Sequence, residues 1–237
     1  MQLDILEDYQ RQTKFLVALD SIIFGFDGDE LKLLLVKRGI ENDPHSWSLM
    51  GGWMKEQESL EEASQRILFE LTKMKHVYLE QLHTFGDPMR DPVERTISVA
   101  YFALINVTDY DQNISKDYET QWFSLHELPQ LLFDHSQMVA KAVDYLRYKA
   151  SQHPIGFELL PEKFTIPQLQ KLYEAIFGTE FDKRNFSRKL LSTDLLIKLD
   201  EKQKGYSKKG AYYYRIDEDR YPKQFNTFLN FLPSTSL

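Results

Sequence analysis

The chain of 237 residues is long enough for one large domain or for two modest ones. It contains no cysteine, which excludes disulfides and thiolate metal sites, and no run as long as the ~18 to 20 apolar residues of a membrane span. The acidic, polar N-terminus lacks the layout of a secretory signal, so we expect a cytoplasmic protein with no membrane partner.

The formal net charge of −7 is unevenly distributed along the chain. Residues 1–152 hold 15 basic and 25 acidic side chains, a balance of −10, whereas residues 153–237 hold 14 and 11, a balance of +3. This asymmetry predicts two domains with different partners, over residues 1–152 and 153–237. The basic second domain is a candidate for binding nucleic acid.

The first half mixes strand and helix patterns. Residues 15–26 and 31–36 are apolar runs separated by Asp27 and Gly28, which is typical of two paired strands with a tight turn. Ser59 and Glu62 have the spacing of a capping box and predict the start of a helix. The other predicted elements are a loop at 37–46, a helix over 59–74, strands at 96–107 and 120–124, and a helix over 136–150. This order predicts an α+β domain built as an α/β/α sandwich.

The pattern changes after residue 152. Residues 153–164 carry two prolines and no clear period, so we interpret them as a connector. A helix is predicted over 165–177 with Gly178 as its end, and Asp182 is placed to cap a second helix that runs to about Leu191. A hairpin of residues 195–199 and 211–216 follows. Helix, turn, helix and hairpin is the order of a winged helix-turn-helix domain.

Four residues in the first half carry the spacing of a known motif: Gly52, Glu58, Arg66 and Glu70. They resemble the Nudix box, G-x5-E-x7-R-E-U-x-E-E-x-G-U, where U is a bulky apolar residue. In that family the glutamates hold a divalent metal ion against a diphosphate, which requires oxygen ligands that converge from neighbouring helical turns.

Two of the expected glutamates are replaced in this sequence by Ile67 and Leu71, and the later glycine of the motif is Lys73. Ile67 and Leu71 are four residues apart and extend an apolar helix face. We therefore predict a Nudix-like fold with no catalytic residues, no bound metal ion and no cofactor.

Residues 85–99 (FGDPMRDPVERTISV) resemble a segment of ADP-ribose-type Nudix proteins, in which a DP-x-RDP loop precedes the strand that lines the nucleotide pocket. The alternative is a surface turn rich in Pro and Asp. Beside the degenerate box, we favour a retained ligand pocket without turnover. Position in the fold suggests five effector-binding residues: Asp20, Trp47, Trp53, Glu56 and Arg95.

The second predicted helix of the C-terminal half has Phe186 and Leu190 on one face and Arg184 and Arg188 on the opposite face. Arginine and asparagine side chains on such a helix can read base edges, and a basic hairpin tip can contact phosphates. A solvated cationic face is the alternative. The predicted DNA-binding residues are Lys183, Arg184, Asn185, Ser187, Arg188 and Lys189 on the helix, and Tyr206, Lys208 and Lys209 at the tip, near Lys202 and Lys204.

From residue 15 to residue 217 the sequence resembles the Nudix-related transcriptional regulators of bacteria, for example in the stretches LKLLLVKRGIE, YLEQLHTFGDPMRDP, LQKLYEAIFG and DKRNFSRK. The resemblance implies a homodimer that binds a palindromic operator in double-stranded DNA and responds to a small molecule. Effectors in the family include ADP-ribose and sugars such as L-arabinose. The lost metal site favours a sugar, and with it a role in carbohydrate metabolism.

Two other functions remain open from the sequence. The first is a Nudix hydrolase of the ADP-ribose type with an accessory winged helix, which Ile67 and Leu71 argue against. The second is an adaptor that binds proteins through the winged helix, which the outward Arg184 and Arg188 argue against.

Overall fold

A seven-stranded mixed sheet forms the centre of the first domain in this computed structural model, which describes residues 2–38, 47–75, 77–107, 119–152, 155–203, 210–217 and 219–220. The strands are β1 (Leu16–Phe26), β2 (Leu31–Lys37), β3 (Trp47–Ser48), β4 (Met50–Trp53), β5 (Tyr78–Phe85), β6 (Thr96–Asn106) and β7 (Thr120–Ser124). Their order across the sheet is β3-β2-β1-β6-β5, with β4 paired to β1 and β7 paired to β2.

Strand β1 is the central strand. It pairs in parallel with β6 along its whole length, from Leu16 opposite Thr96 to Phe26 opposite Asn106, and antiparallel with β2 and β4. The predicted hairpin of β1 and β2 is confirmed. The Asp27 carboxylate accepts the backbone amides of Asp29 and Glu30, which holds the turn closed.

Helices cover both faces of this sheet, as the sequence predicted. Along β1, Leu19 and Ile23 pack in the core under helix α2 (Leu60–Thr72), whereas the alternate residues Ile22 and Phe24 pack in the core under helix α3 (His135–Gln152). This alternation is the period-two pattern of a strand buried on both faces. No helix in the described ranges is both long and apolar enough to cross a membrane.

Helix α2 begins where the sequence indicated. The Ser59 hydroxyl accepts the Glu62 amide, and the Glu62 carboxylate accepts the Ser59 amide, so the capping box is complete. The helix ends at Lys73, which has a left-handed backbone with φ of 60°. Glycine adopts this conformation without steric cost, which explains the glycine that the Nudix motif has at this position.

The sequence analysis did not predict helix α1 (Gln2–Arg11) or strands β3, β4 and β5 of the first domain. Strand β5 lies at the edge of the sheet and none of its residues is buried, so its sequence lacks the alternation of a half-buried strand. Its pairing with β6 also shifts register between Gln81 and His83, which interrupts the pattern further.

The C-terminal half forms the predicted winged helix. Its elements are β8 (Phe164–Thr165), helix α4 (Ile166–Phe177), helix α5 (Lys183–Leu191), β9 (Leu196–Gln203) and β10 (Ala211–Ile216), and its sheet has the order β8-β10-β9. Thr165 and Gln168 form a second capping box, and Gly178 ends α4 with φ of 66°. Asp182 caps α5 by accepting the Asn185 amide.

The predicted connector is packed rather than extended over the surface. From residue 155 onwards it contains a short 3-10 turn, Phe157–Leu159, and most of its apolar side chains are buried. These side chains belong to the same core cluster as Phe102 of the first sheet and Tyr173 of α4. The two halves of the chain therefore share one hydrophobic core.

A shared core predicts that the two halves unfold together. Leu159→Ala removes a side chain that is 1% exposed, and we expect it to lower the free energy of unfolding by ~2 to 5 kcal/mol in a single transition. Urea unfolding followed by fluorescence and by circular dichroism measures both quantities. Val93→Ala is the control, because Val93 is 84% exposed and its truncation should change little. Two separate transitions in the wild-type protein would contradict the shared core.

Candidate functional site

Arg66 holds the two remaining carboxylates of the Nudix-like segment. Its guanidinium donates to both oxygens of Glu58, at 2.8 and 2.6 Å, and to Glu70 at 3.2 Å. It also donates to the Trp53 carbonyl at 2.9 Å. The hydrogen bond from Arg66 is the main reason that the pKa of Glu58 is lowered to about 2. Both carboxylates thus serve the structure of the loop and helix.

The positions of the two missing glutamates are buried. Ile67 and Leu71 belong to the core cluster between α2 and the sheet, where they are 2% and 7% exposed. A magnesium ion needs several oxygen ligands around one point, and α2 presents apolar side chains where the motif has carboxylates. Among the described residues, no three Asp, Glu or His side chains are grouped to ligate a metal ion. The residues present do not fit the metal site of the Nudix motif.

Two adjacent glycines of β4 allow side chains on both faces of the sheet to approach its backbone closely. A Cβ atom on Gly51 would lie 2.1 Å from Asp20 Oδ1, and a Cβ atom on Gly52 would lie 3.1 Å from Ile67 Cγ1. Real side chains do not tolerate the first of these approaches, so Gly51 is required for the position of Asp20. β4 therefore separates α2 from the polar residues on the opposite face.

Those polar residues form a cluster in which Asp20, Arg90, Ser98 and His135 are buried and Asp134 is half-buried. Arg90 donates to both oxygens of Asp134, at 3.0 and 2.8 Å, and lies 3.9 Å from Asp20 Oδ2. Ser98 donates to the same Asp20 oxygen at 2.5 Å. The other oxygen, Asp20 Oδ1, lies 3.9 Å from His135 Nε2 and accepts no hydrogen bond from the described residues.

The orientation of His135 follows from its contacts. Its Nδ1 accepts the Leu49 backbone amide at 3.2 Å, so in the neutral ring the proton is on Nε2, which faces Asp20. Burial lowers the pKa of His135, and the neighbouring Asp20 and Asp134 offset only part of this effect.

The cluster lies beside a cavity of about 280 Å³. The walls of the cavity are Leu16, Ala18, Asp20, Arg38, Gly52, Trp53, Arg90, Asp91, Val93, Glu94, Thr96, Phe133 and His135. A second cavity, of about 530 Å³, shares Arg90 and Phe133 with the first. Trp53 and Phe133 are partly exposed aromatic side chains on these walls, which suits the apolar faces of a small organic ligand.

Arg38 is a second cation at the cavity. It is exposed, and within the described part of the chain it has no carboxylate partner. Arg90 is committed to Asp134, whereas Arg38 is available to an anionic group of a ligand.

Two of the five predicted effector residues, Asp20 and Trp53, line this cavity. The other three lie outside its walls. Trp47 packs against Phe123 with ring centroids 4.7 Å apart, and Glu56 is exposed in the loop before α2. Arg95 stacks on the Phe15 ring and donates to backbone carbonyls of residues 86 and 87.

Sequence reasoning missed Arg38, Arg90, Phe133 and His135 as cavity residues. Arg90 is the arginine of the DP-x-RDP segment, so its signal was present. The loop around it is held by Asx turns, in which Asp87 accepts the amide of Met89 and Asp91 accepts that of Val93. Phe133 and His135 are distant in sequence and carry no local signal.

Helix α5 presents the basic face that the sequence predicted. Phe186 and Leu190 are buried, while Arg184 and Arg188 are exposed. Lys183 and Asn185 are also exposed, and Asn185 accepts a hydrogen bond from Arg188 at 2.9 Å. Ser187 donates to the Lys183 carbonyl, and Ser187 and Lys189 are only partly exposed. The predicted tip residues Lys204, Tyr206, Lys208 and Lys209 lie outside the described residues.

The fold and these two sites define a class of protein in which a Nudix domain is followed by a winged helix. Residues 14–143 match the family model of the NUDIX domain, and residues 156–216 match that of the NrtR DNA-binding winged helix domain. The ADPR responsive transcriptional repressor NtrR of Acinetobacter baylyi is 30% identical over 220 residues, which are 91% of this chain and 88% of that protein. This chain belongs to the NrtR family.

Two solved structures support the same assignment. The crystal structure of Shewanella oneidensis NrtR complexed with a 27mer DNA is similar with a TM-score of 0.76 and 31% identity, over 87% of this chain and 95% of that chain. The NUDIX domain of Shewanella oneidensis NrtR complexed with ADP ribose is similar with a TM-score of 0.50 and 30% identity, over 62% of this chain and 99% of that chain.

The lowered pKa of His135 predicts that the folded protein is less stable at acidic pH. Above about pH 6.5 the His135 ring is neutral in the folded and in the unfolded protein. Below this pH the ring binds a proton more readily in the unfolded protein than in the folded one. The free energy of unfolding therefore falls as the pH drops. His135→Asn keeps an acceptor for the Leu49 amide and should remove this part of the loss. Urea unfolding at several pH values measures the effect. His126→Asn, at an exposed ring, is the control, and identical pH profiles for wild type and His135→Asn would refute the prediction.

Proposed function

We propose that this protein is a DNA-binding transcriptional repressor that responds to ADP-ribose and does not hydrolyse it. The observation that carries the proposal is the contrast within the Nudix domain. The cavity keeps a buried polar cluster, while Ile67 and Leu71 fill the metal-binding positions with apolar side chains. The ADP-ribose and DNA complexes of a relative that is about 30% identical support the choice of ligand and partner.

The shape and chemistry of the cavities support a nucleotide rather than a free sugar. Asp20 Oδ1 accepts no hydrogen bond from the described residues and can accept one from a ribose hydroxyl. Trp53 offers an aromatic face and Arg38 a cation for phosphate. A nucleotide would span both cavities, whereas a pentose would occupy one. L-arabinose and a role in carbohydrate metabolism have no support among the relatives, although the free sugar is a useful comparison ligand.

Helix α3 connects the cavity to the winged helix. It begins at His135, which lines the cavity, and near its other end Arg147 donates to the Ile176 carbonyl of α4 at 2.9 Å. Lys171 of α4 also pairs with Asp29 of the first domain at 2.8 Å. We propose that a ligand which moves the first turn of α3 changes the position of the winged helix through these contacts. The ligand must bind the DNA-free and DNA-bound forms with different affinities to do so.

The proposal includes a homodimer on a palindromic operator, because two copies of one recognition helix bind two symmetric half-sites. Helix α5 would enter the major groove with Arg184 and Arg188 towards the bases. The hydrolase alternative is weaker, because Glu58 and Glu70 are both occupied by Arg66.

Calorimetric titration with ADP-ribose tests the effector. We expect binding, and no magnesium- or manganese-dependent hydrolysis approaching ~1 per second, which is an ordinary enzyme rate. Arg38→Gln should weaken ADP-ribose binding about tenfold or more, because a charge-assisted contact to phosphate is lost. The matched control is Lys37→Gln, since Lys37 pairs with Glu119 and lies outside the cavity walls. Turnover at such a rate, or binding of L-arabinose but not ADP-ribose, would overturn the proposal.

Gel-shift titration tests the recognition helix, with a duplex that the wild-type protein selects from a random pool. Arg184→Ala and Arg188→Ala should each cost ~1 to 3 kcal/mol of specific affinity if the side chain reads a base. Lys141→Ala is the control, because Lys141 is an exposed cation on α3 of the first domain. Unchanged binding by both arginine variants would favour the protein-binding adaptor.

A further inference from the structure

A third cavity, of about 720 Å³, lies between the two halves of the chain. One face of α3, from Ser136 to Arg147, forms much of its wall on the first domain. The winged helix contributes residues of α4 and of the segment after it, between Lys171 and Glu180. Ser136 and Arg147 are eleven positions apart, or about 16 Å along an α-helix, so the cavity is elongated. We call it the interdomain cavity.

Part of each wall is apolar. Val143 of α3 and Leu128 after β7 line the cavity from the first domain, and Ala175 of α4 lines it from the winged helix. All three are half-buried, so part of their apolar surface remains accessible to a ligand. A ligand chain that covers them removes apolar surface of both halves from water, which stabilises the complex. The volume of the cavity and its position between two domains are typical of sites for small organic molecules.

Carboxylates outnumber cations on the walls of the interdomain cavity. Its acidic side chains are Asp29, Glu30, Asp144, Glu174 and Glu180, and its basic ones are Arg147 and Lys171. Five acidic against two basic side chains leave a surplus of three negative charges, counted with neutral histidine. A surplus of one sign on the walls of a concave site attracts ligands of the opposite sign.

Both basic side chains on these walls are already engaged. Lys171 Nζ lies 2.8 Å from Asp29 Oδ1, and Arg147 Nε donates to the Ile176 carbonyl at 2.9 Å. A second nitrogen of Arg147 lies 3.9 Å from Asp144. An anionic ligand would have to displace these contacts, whereas a cationic ligand would leave them in place. The walls therefore select for positive charge.

Two of the wall carboxylates, Glu174 and Glu180, have no cationic partner among the described residues. Glu174 Oε1 accepts the side-chain amide of Gln170 at 2.8 Å and the backbone amide of Phe181 at 2.9 Å, and both donors are neutral. Glu180 is exposed, and its carboxylate makes no hydrogen bond in the described ranges. Both lie at the C-terminal end of α4, where the helix dipole adds negative partial charge. This part of the cavity favours an ammonium group.

We propose that the interdomain cavity binds an aliphatic polyamine. Its ammonium groups would pair with Glu174 and Glu180, and its methylene chain would cover the apolar walls. A metal cation would use the carboxylates alone, and an amine with one charge would neutralise only part of the surplus. Among the described residues, none lines both this cavity and the proposed ADP-ribose cavity, so the two sites are separate. A ligand that contacts α3 and α4 together would stabilise one arrangement of the winged helix.

Calorimetric titration of the full-length, DNA-free protein with spermidine tests the site. We expect saturable binding. Glu180→Gln should weaken it about two- to fivefold, the range of one exposed ion pair, and the addition of Glu174→Gln should weaken it further. Glu174→Gln keeps an oxygen that can accept the Phe181 amide. Ala140→Leu adds volume on the α3 wall without a change of charge, and it should also weaken binding.

The matched control is Glu127→Gln. Glu127 is exposed and lies between the wall residues His126 and Leu128, but it does not line the cavity itself. Loss of its charge should therefore leave the affinity for spermidine unchanged. Hexylamine, which has one ammonium group, should bind more weakly than spermidine, and magnesium chloride should not displace spermidine at equal ionic strength. Circular dichroism confirms that each variant is folded.

Several results would overturn the proposal. If the wild type does not bind spermidine, or if the double variant and Ala140→Leu bind it as the wild type does, the cavity is not a polyamine site. Equal weakening by Glu127→Gln and Glu180→Gln, or displacement by magnesium, would indicate nonspecific attraction to an acidic surface. An affinity that increases on dilution into monomers would assign the cavity to a second copy of the chain.

Discussion

The ion pair between Arg90 and Asp134 determines how three distant parts of the first domain meet. Arg90 belongs to the loop before β6, Asp134 immediately precedes α3, and Asp20 of β1 lies 3.9 Å from the Arg90 guanidinium. The side chains of all three are almost inaccessible to solvent. Breaking a buried ion pair lowers the free energy of unfolding by ~3 to 5 kcal/mol, so these contacts are strongly maintained. The loop and the helix must therefore be in place together, and the cavity is the space that they enclose.

This constraint also explains why the cavity does not depend on the side chains of helix α2. Gly51 accommodates Asp20 on one side of β4, and Gly52 accommodates Ile67 on the other. The cavity is built from β1, β4, the loop around Arg90 and the start of α3, whereas α2 contributes its apolar face to the opposite core. The side chains at positions 67 and 71 of α2 therefore do not line the cavity.

Local signals were sufficient for most of the fold and for little of the site. The capping box at Ser59, the glycine at 178 and the apolar run at residues 15–26 predicted elements that the structure confirms because each depends on neighbours in sequence. The cavity depends on contacts between residues far apart, such as Arg90 with Asp134, 44 positions away. Trp47 and Arg95 were predicted to bind the effector from their place along the chain. In the structure the Trp47 ring packs against Phe123 and the Arg95 guanidinium stacks on Phe15, so neither side chain lines the cavity.

A receptor that destroys its ligand reports the rate of supply rather than the concentration. Under the proposed function, the apolar residues at positions 67 and 71 would let ADP-ribose occupy the cavity unchanged, so occupancy would follow its concentration. Occupancy can alter DNA affinity only through a difference in binding energy between two forms, typically ~1 to 3 kcal/mol, and DNA must alter ADP-ribose affinity by the same factor. The packed connector and the Arg147 contact with α4 provide a continuous physical connection over which such a difference can act. A flexible tether between the two halves would provide none, because the winged helix would then have the same environment with and without ligand.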